Sequence, residues 1–242
     1  MDQQIYTLHR ENEKEHWWYK GRRKIISLLV KEFIVKKKKI KILDFGAGSG
    51  TNTIMLSKYG DVYVYEKDKK SQEYLKKKFD KINNIFVLDR INKNDLFDFI
   101  VATDVIEHIN DDETVIKILF NALKKDGNIL LTVPAYNFLY NERDKLIGHF
   151  RRYNNKMLKN LTKEYFKIIK LSYYNFFLFP LSLILFVMIK IIKIKSFITS
   201  AEKTPNSILN NFLYRIFSSE RFFLKYINFP FGNSIVCLAK KI

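Results

Sequence analysis

Residues 40–50 read Ile-Lys-Ile-Leu-Asp-Phe-Gly-Ala-Gly-Ser-Gly, a short β-rich run that breaks into three closely spaced glycines. A stretch of helical character, 51–59, begins directly after Gly50 and closes at Gly60, a plausible C-cap. Strand, glycine turn and helix in that order put backbone N–H groups at a helix start, where glycine lets a ligand approach the chain closely. The chain has 8 glycines, and Gly46, Gly48 and Gly50 stand in this one loop. The next β-rich run, 62–65, ends at Glu66, and an acid at that place holds ribose hydroxyls in nucleotide-binding α/β sheets. A third run ends at Asp89.

Working outward, the spacing predicts a helix over 5–35, carrying Trp17, Trp18, Ile25, Leu28, Leu29 and Phe33. Strands are expected over 40–45, 62–65, 84–88, 97–102 and 128–133, and helices over 51–59, 71–79 and 113–123, the last stopped by Lys124-Lys-Asp-Gly127. Such alternation means βαβ units, and so a mostly parallel sheet with helices on both faces. Phe166–Tyr174 and Ser234–Ala239 read as two closing strands. Between them lie the apolar run Phe176–Ile189, the lysines at 190, 193 and 195, and an aromatic amphipathic helix over 205–226. The apolar run is shorter than the ~20 residues a membrane span needs.

The 242 residues carry 43 Lys+Arg against 25 Asp+Glu, a net charge of +18. That balance fits an acidic partner, whether nucleic acid, an anionic membrane or a phosphorylated substrate. It also fits plain composition, since lysine dominates and runs such as 36–39 and 76–78 flank apolar stretches as solvated faces do. With no zinc-ligand cysteines and no RNA-binding aromatic signature, nucleic acid is the weaker partner. Lone Cys237 excludes an intramolecular disulfide framework and fits a reducing compartment. The polar N-terminus lacks the apolar core of a secretory signal, so a cytoplasmic protein is expected, peripheral at the inner membrane face if 176–195 meets lipid.

The glycine loop alone admits two cofactor classes, because nicotinamide sites also place glycines after a first strand. Here the third glycine comes early, and Asp-Phe-Gly-Ala-Gly-Ser-Gly (44–50) resembles motif I of class I S-adenosylmethionine-dependent methyltransferases. FDFIVATDVIEHI (97–109) resembles their fourth strand and following loop, and DGNILLTVPAY (126–136) their fifth strand. EHWWYKGRR (15–23), GHFRRY (148–153) and FPFGNSIVCLAKK (229–241) are similar to elements of bacterial and archaeal members often associated with cell-envelope or glycan genes. The resemblance implies a Rossmann-like, seven-stranded, mostly parallel sheet. Residues 1–175 would form the core with an N-terminal helical lid, 176–231 a helical insert and 232–242 the closing strand. The insert would be a substrate cap, a homodimer interface or a membrane-surface element.

The same resemblance implies roles for residues. Asp44 would hold the loop and the cofactor's amino group, Gly46, Gly48 and Gly50 would admit its methionine part, and Glu66 would accept the ribose hydroxyls. Asp89 would take the adenine amine and Asp104 would line the pocket near the sulfonium. Arg22 would pair with the methionine carboxylate or face water. His108 and His149 are the candidate bases, for an acceptor hydroxyl or amine of a glycan, a lipid-linked molecule or a small molecule. His16 looks like part of the lid, and Arg151, Arg152 and Lys156 are candidate contacts for an anionic acceptor. The short spacing of His108, Asp111 and Asp112 suits a solvated turn, so no metal is expected. Two rivals are a membrane-associated cofactor-binding protein without turnover and an RNA methyltransferase. Asp104-Val-Ile-Glu in place of an NPPY-like tetrapeptide disfavours the second.

Overall fold

The computed structural model describes residues 12–34, 40–92, 96–192 and 203–242. His9, the run 36–39, Lys193 and Lys195 lie outside the described residues.

The apolar runs become seven strands of one sheet: β1 (Lys41–Phe45), β2 (Asp61–Tyr65), β3 (Ile85–Leu88), β4 (Phe97–Thr103), β5 (Leu123–Pro134), β6 (Phe166–Tyr174) and β7 (Ser234–Lys241). Their order is β3-β2-β1-β4-β5-β7-β6. All neighbours run parallel except β7, which is antiparallel to both β5 and β6. Strand order reverses between β1 and β4, and ligands of open α/β sheets bind outside the strand ends at such a switch point. Ile42, Leu43, Ile100, Val101, Leu130 and Leu131 are fully buried, so the central strands carry apolar side chains on both faces, as a parallel sheet covered on both sides requires.

Helix α1 (Trp17–Ile34) precedes the sheet, after a helical turn over 12–15. The others are α2 (Thr51–Leu56), α3 (Lys69–Phe79), α4 (Asp112–Ala122), α5 (Glu142–Ile147), α6 (Asn155–Thr162), α7 (Phe179–Ile192) and α8 (Ser207–Leu224). Acidic side chains fix two starts: Asp68 accepts from the Ser71 N–H at 2.8 Å, and Asp111 from that of Thr114 at 3.0 Å. The sequence reading misses α5 and α6, which are short and begin on asparagine caps, Asn141 and Asn154.

Strand β5 starts five residues earlier than expected, at Leu123 rather than 128. Leu123 is already paired with Phe97, and a register shift absorbs Lys124–Gly127, with Asp126 at φ 63. The stop signal therefore marks a bulge inside a strand.

Between β6 and β7, α8 docks on α1. Trp17 meets Phe217 edge-on at 5.8 Å, the Trp17 N–H donates to Asn210 at 2.8 Å, and the Asn210 amide donates to the Glu15 carbonyl at 2.9 Å. Gly21 permits the approach, since a Cβ there would lie 2.4 Å from the Phe217 ring. No helix among the described residues is long and apolar enough to cross a membrane.

Candidate active site

The turn after β1 is held on two sides. The Gly46 N–H donates to the Tyr65 carbonyl at 2.8 Å, and the Gly48 N–H to Glu66 Oε2 at 3.0 Å. Gly46, Gly48 and Gly50 all have positive φ, at 71°, 55° and 76°. Glycine adopts that region without the side-chain penalty other residues meet. The three differ in their surroundings. A Cβ at 46 would strike Val105 at 2.5 Å and one at 50 would strike Phe79 at 2.5 Å, whereas at 48 the nearest atom is Glu13 Oε1 at 3.8 Å. Gly46 and Gly50 are thus packed against the core, and Gly48 faces space.

That space is a cavity of about 480 Å³. It is bounded by the glycine loop, by His16, Trp18 and Arg22 of the N-terminal segment, by Asp104 after β4 and by the loop after α5. The N-terminal segment thus borders the cavity. Glu13 belongs to it as well: its carboxylate accepts from the Ser49 hydroxyl and, at 2.6 Å, from that of Thr51.

Asp44 is buried beneath the loop and accepts from the Thr53 hydroxyl at 2.6 Å. Burial raises its pKa to about 7 against the pull of that hydrogen bond. Asp44 therefore braces the loop from below, joining β1 to α2. Arg22 is buried, stacks on Trp18 with 4.5 Å from guanidinium carbon to ring centroid, and is ion-paired with Asp104. Asp104 itself sits at φ 55 and also accepts from the Thr132 hydroxyl at 3.0 Å, which ties the end of β4 to β5. Asp89 stands apart. It is 75% exposed, bound by Lys76 at 2.6 Å, and is not part of the cavity wall.

At the other end of the cavity, Glu107, His108 and His149 come together. The two imidazoles meet edge-on with centroids 4.6 Å apart, and His149 Nε2 lies 3.9 Å from Glu107 Oε1. His149 Nδ1 lies 2.7 Å from Asp144 Oδ1. Because a carboxylate only accepts, Nδ1 carries the proton and Nε2 the lone pair. Burial lowers the His149 pKa, opposed by Asp144, so the ring is neutral near pH 7. Asp144 is gripped in turn by Arg152, whose Nε and Nη2 both donate at 2.9 Å. Burial pushes the Asp144 carboxyl up, but the His149 and Arg152 hydrogen bonds outweigh it and bring the pKa to about 2. Glu107 has no such support. It is fully buried, its pKa is raised by that burial to about 8, and neither oxygen has a hydrogen-bond partner among the described residues.

Arg151 and Arg152 each hold an acidic partner within the chain. Arg151 pairs with Asp112 at 2.7 Å, and Arg152 with Asp144. Arg152 lines the cavity together with Arg143, whereas Arg151 does not. Glu13, Glu107 and Asp144 escape the sequence reading as site residues. Glu107 enters the sequence reading only as the last residue of Asp104-Val-Ile-Glu, and Asp144 stands at a capping-box position of α5, where its side chain also meets the Asn141 N–H.

The comparisons with known proteins bear on the fold and the family. A family model described as a methyltransferase domain matches residues 17–168. The mitochondrial ubiquinone biosynthesis O-methyltransferase of Bos taurus is 35% identical over 106 residues, covering 38% of this chain and 28% of that protein. The chain thus spans little more than a quarter of that relative's length. Among solved structures, the N-methyltransferase NodS from Bradyrhizobium japonicum WM9, in complex with S-adenosyl-L-homocysteine, is similar at a TM-score of 0.60 and 11% identity, over 99% of each chain. Phosphoethanolamine N-methyltransferase 2 of Haemonchus contortus, in complex with S-adenosyl-L-methionine, is similar at 0.55 and 19% identity, over 88% of this chain and 51% of that one. At those identities the structural likeness speaks for the fold, while the family match covers more than half of the sequence. The chain belongs to the methyltransferase domain family.

Proposed function

We propose that the cavity seats methyl transfer to a hydroxyl or amino group of a small-molecule, glycan or lipid-linked acceptor. S-adenosylmethionine, the cofactor this reading assigns, would supply a methyl group already activated on a positive sulfur, so the protein's task is chiefly to align the nucleophile with it. The residues present fit such a cofactor. Gly48 leaves room above the loop, Glu66 offers a carboxylate at the end of β2, and Arg22 with Asp104 closes the side toward β4. Asp44 acts on this seat through Thr53 and the loop. Asp89 would serve the adenine only after leaving Lys76.

At the far end, Glu107, His108 and His149 face the acceptor and ease loss of the proton from its hydroxyl, with Asp144 fixing the His149 ring. The observation that carries the reading is the single cavity joining the glycine loop to this polar group. The experiment is a product assay for S-adenosylhomocysteine across hydroxyl- and amine-bearing acceptors. Turnover with one class, falling about 10²–10⁴-fold in His149→Ala, supports the reading. Cofactor binding with no turnover on any acceptor would instead favour a binding protein.

Within that acceptor range, the exposed apolar faces of α7 and α8 favour a lipid-linked molecule. Ile184, Phe212 and Phe222 are 58%, 59% and 60% exposed on a chain of net charge +18, which suits an anionic surface. Co-sedimentation with anionic but not neutral vesicles is the expected result. No partition to either would leave soluble glycans and small molecules.

A further inference from the structure

We propose that Glu107, His108 and His149 hold a divalent cation at the acceptor end of the cavity, and that the cation takes an oxygen of the acceptor as a further ligand. The cation site stands on geometry alone. Only its role toward the acceptor rests on the methyltransferase reading.

One ligand atom from each of the three residues lies within 4.8 Å of the other two. Two imidazoles and one carboxylate on one side of an ion leave its other positions open, and this donor set suits manganese, iron, cobalt or zinc better than magnesium or calcium. With bonds of about 2.1 Å, ligand atoms stand about 3–3.4 Å apart, so the group closes by little more than side-chain rotation.

Two independent observations point to a ligand. The first is Glu107, whose side chain lines the cavity, is fully buried and lacks a hydrogen-bond partner for either oxygen among the described residues. Buried carboxyl groups are ordinarily paired, hydrogen-bonded or metal-bound, and the cationic side chains nearby are matched elsewhere, Arg22 to Asp104 and Arg152 to Asp144. The second is the support behind the imidazoles. Asp144 accepts a hydrogen bond from the His149 Nδ1–H at 2.7 Å and is itself clamped by Arg152, the carboxylate–imidazole arrangement that orients metal-binding histidines. The Gly148 carbonyl lies 3.3 Å from His108 Nδ1, which assigns the His108 lone pair to Nε2. The Phe150 N–H donates to the Glu107 carbonyl at 2.7 Å and ties the two ligand-bearing segments together.

A plain Asp144–His149 base would account for that pair but would leave Glu107 buried without a partner. A cation accounts for all three. It would also explain how an acceptor hydroxyl is made reactive, since a bound ion lowers the pKa of an oxygen it holds. The expectation of metal-free transfer rests on His108, Asp111 and Asp112, which are near one another in the chain. Asp111 instead caps α4, and the site is completed by His149.

The test uses the full chain, stripped with a chelator. Mn²⁺ alone is titrated by calorimetry, the visible spectrum is recorded with Co²⁺, and S-adenosylhomocysteine is titrated into the same samples. The expected result is one Mn²⁺ per chain and Co²⁺ bands of imidazole ligation. Both are lost in Glu107→Gln and His149→Ala, while Asp144→Asn weakens Mn²⁺ about 10–100-fold. Retained S-adenosylhomocysteine binding shows that the variants are folded. Wild-type protein that binds S-adenosylhomocysteine but no stoichiometric Mn²⁺ or Co²⁺ overturns the proposal, whether or not the variants fold. So does Mn²⁺ binding unchanged in Glu107→Gln, which marks an adventitious ion. Stoichiometric Mn²⁺ without S-adenosylhomocysteine binding would keep the site and sink the methyltransferase reading.

Discussion

Alanine at Gly48 and alanine at Gly50 place the same methyl group on the same loop, yet they are expected to fail in opposite ways. At Gly50 the φ of 76° strains any side chain, and the new Cβ would lie 2.5 Å from Phe79 Cζ and 2.8 Å from Leu75 Cδ2. Both neighbours are buried on α3, so the helix has to retreat. Left-handed strain of about 1–2 kcal/mol and overpacking of about 1–3 kcal/mol give about 2–5 kcal/mol in all. At Gly48 the φ is 55° and the nearest atom is 3.8 Å away, so only the strain, about 1–2 kcal/mol, applies. For a chain of this size 1 kcal/mol moves Tm by about 2–4 °C, giving about 2–8 °C for Gly48→Ala and about 4–20 °C for Gly50→Ala. Thermal unfolding by circular dichroism reads these numbers, and calorimetric titration with S-adenosylhomocysteine well below both Tm values reads the pocket. Gly48→Ala is expected to stay folded and lose affinity, and Gly50→Ala to lose stability first. Equal destabilisation, or wild-type affinity in Gly48→Ala, would refute the assignment of Gly48 to the ligand and Gly50 to packing.

Arg22→Ala leaves Asp104 without its guanidinium in a mostly buried place, with an expected cost of about 3 kcal/mol or more in urea unfolding. The double variant Arg22→Met/Asp104→Asn should recover part of that loss, and a double variant no better than the single would show that the pair is not the source. Stability should also fall as pH rises between about 4.5 and 7. Burial raises the folded-state pKa of Glu220 to about 7, so its contribution is complete below its unfolded value and is lost as pH climbs through 7. Asp44, raised to about 7 by burial, acts in the same direction. Glu220→Gln keeps one acceptor for the Asn175 and Phe177 N–H groups and should flatten the slope by up to about 1.4 kcal/mol per pH unit; an unchanged slope would contradict the assignment. Thr53→Val removes the hydroxyl beneath the loop and should weaken S-adenosylhomocysteine through Asp44, visible as a lower affinity with little change in cavity-end chemistry.

How far the sequence can be read depends on whether a feature is local. The strands are legible because apolar runs bounded by Gly, Asp and Lys encode a buried parallel sheet, and the glycine loop is legible because positive φ demands glycine at 46, 48 and 50. The start of β5 is not, because Lys124–Gly127 carries turn chemistry while tertiary pairing of Leu123 with Phe97 decides its state. The glycine-loop end of the cavity is legible in part, since Gly46, Gly48 and Asp104 follow strands β1 and β4 directly, whereas Glu66 and Asp89 are not among its lining residues. At the far end His108 and His149 are legible one by one, but their meeting with Glu107 is not. His149 is brought to Glu107 and His108 by α5, a short helix whose capping residue Asp144 doubles as the partner of His149 and Arg152. Arg151 and Arg152 look like anion contacts in one dimension, and only the fold shows Asp112 and Asp144 beside them.

The central claim is that the loop 44–50 and the cavity above it hold the cofactor. Calorimetric titration of the purified chain with S-adenosylmethionine and S-adenosylhomocysteine, with Gly48→Arg as control, tests it most directly. The expected result is micromolar binding at one site per chain, abolished in a Gly48→Arg protein that still unfolds cooperatively. A cooperatively folded wild-type chain that binds neither compound, in buffer or with anionic vesicles present, would contradict the account.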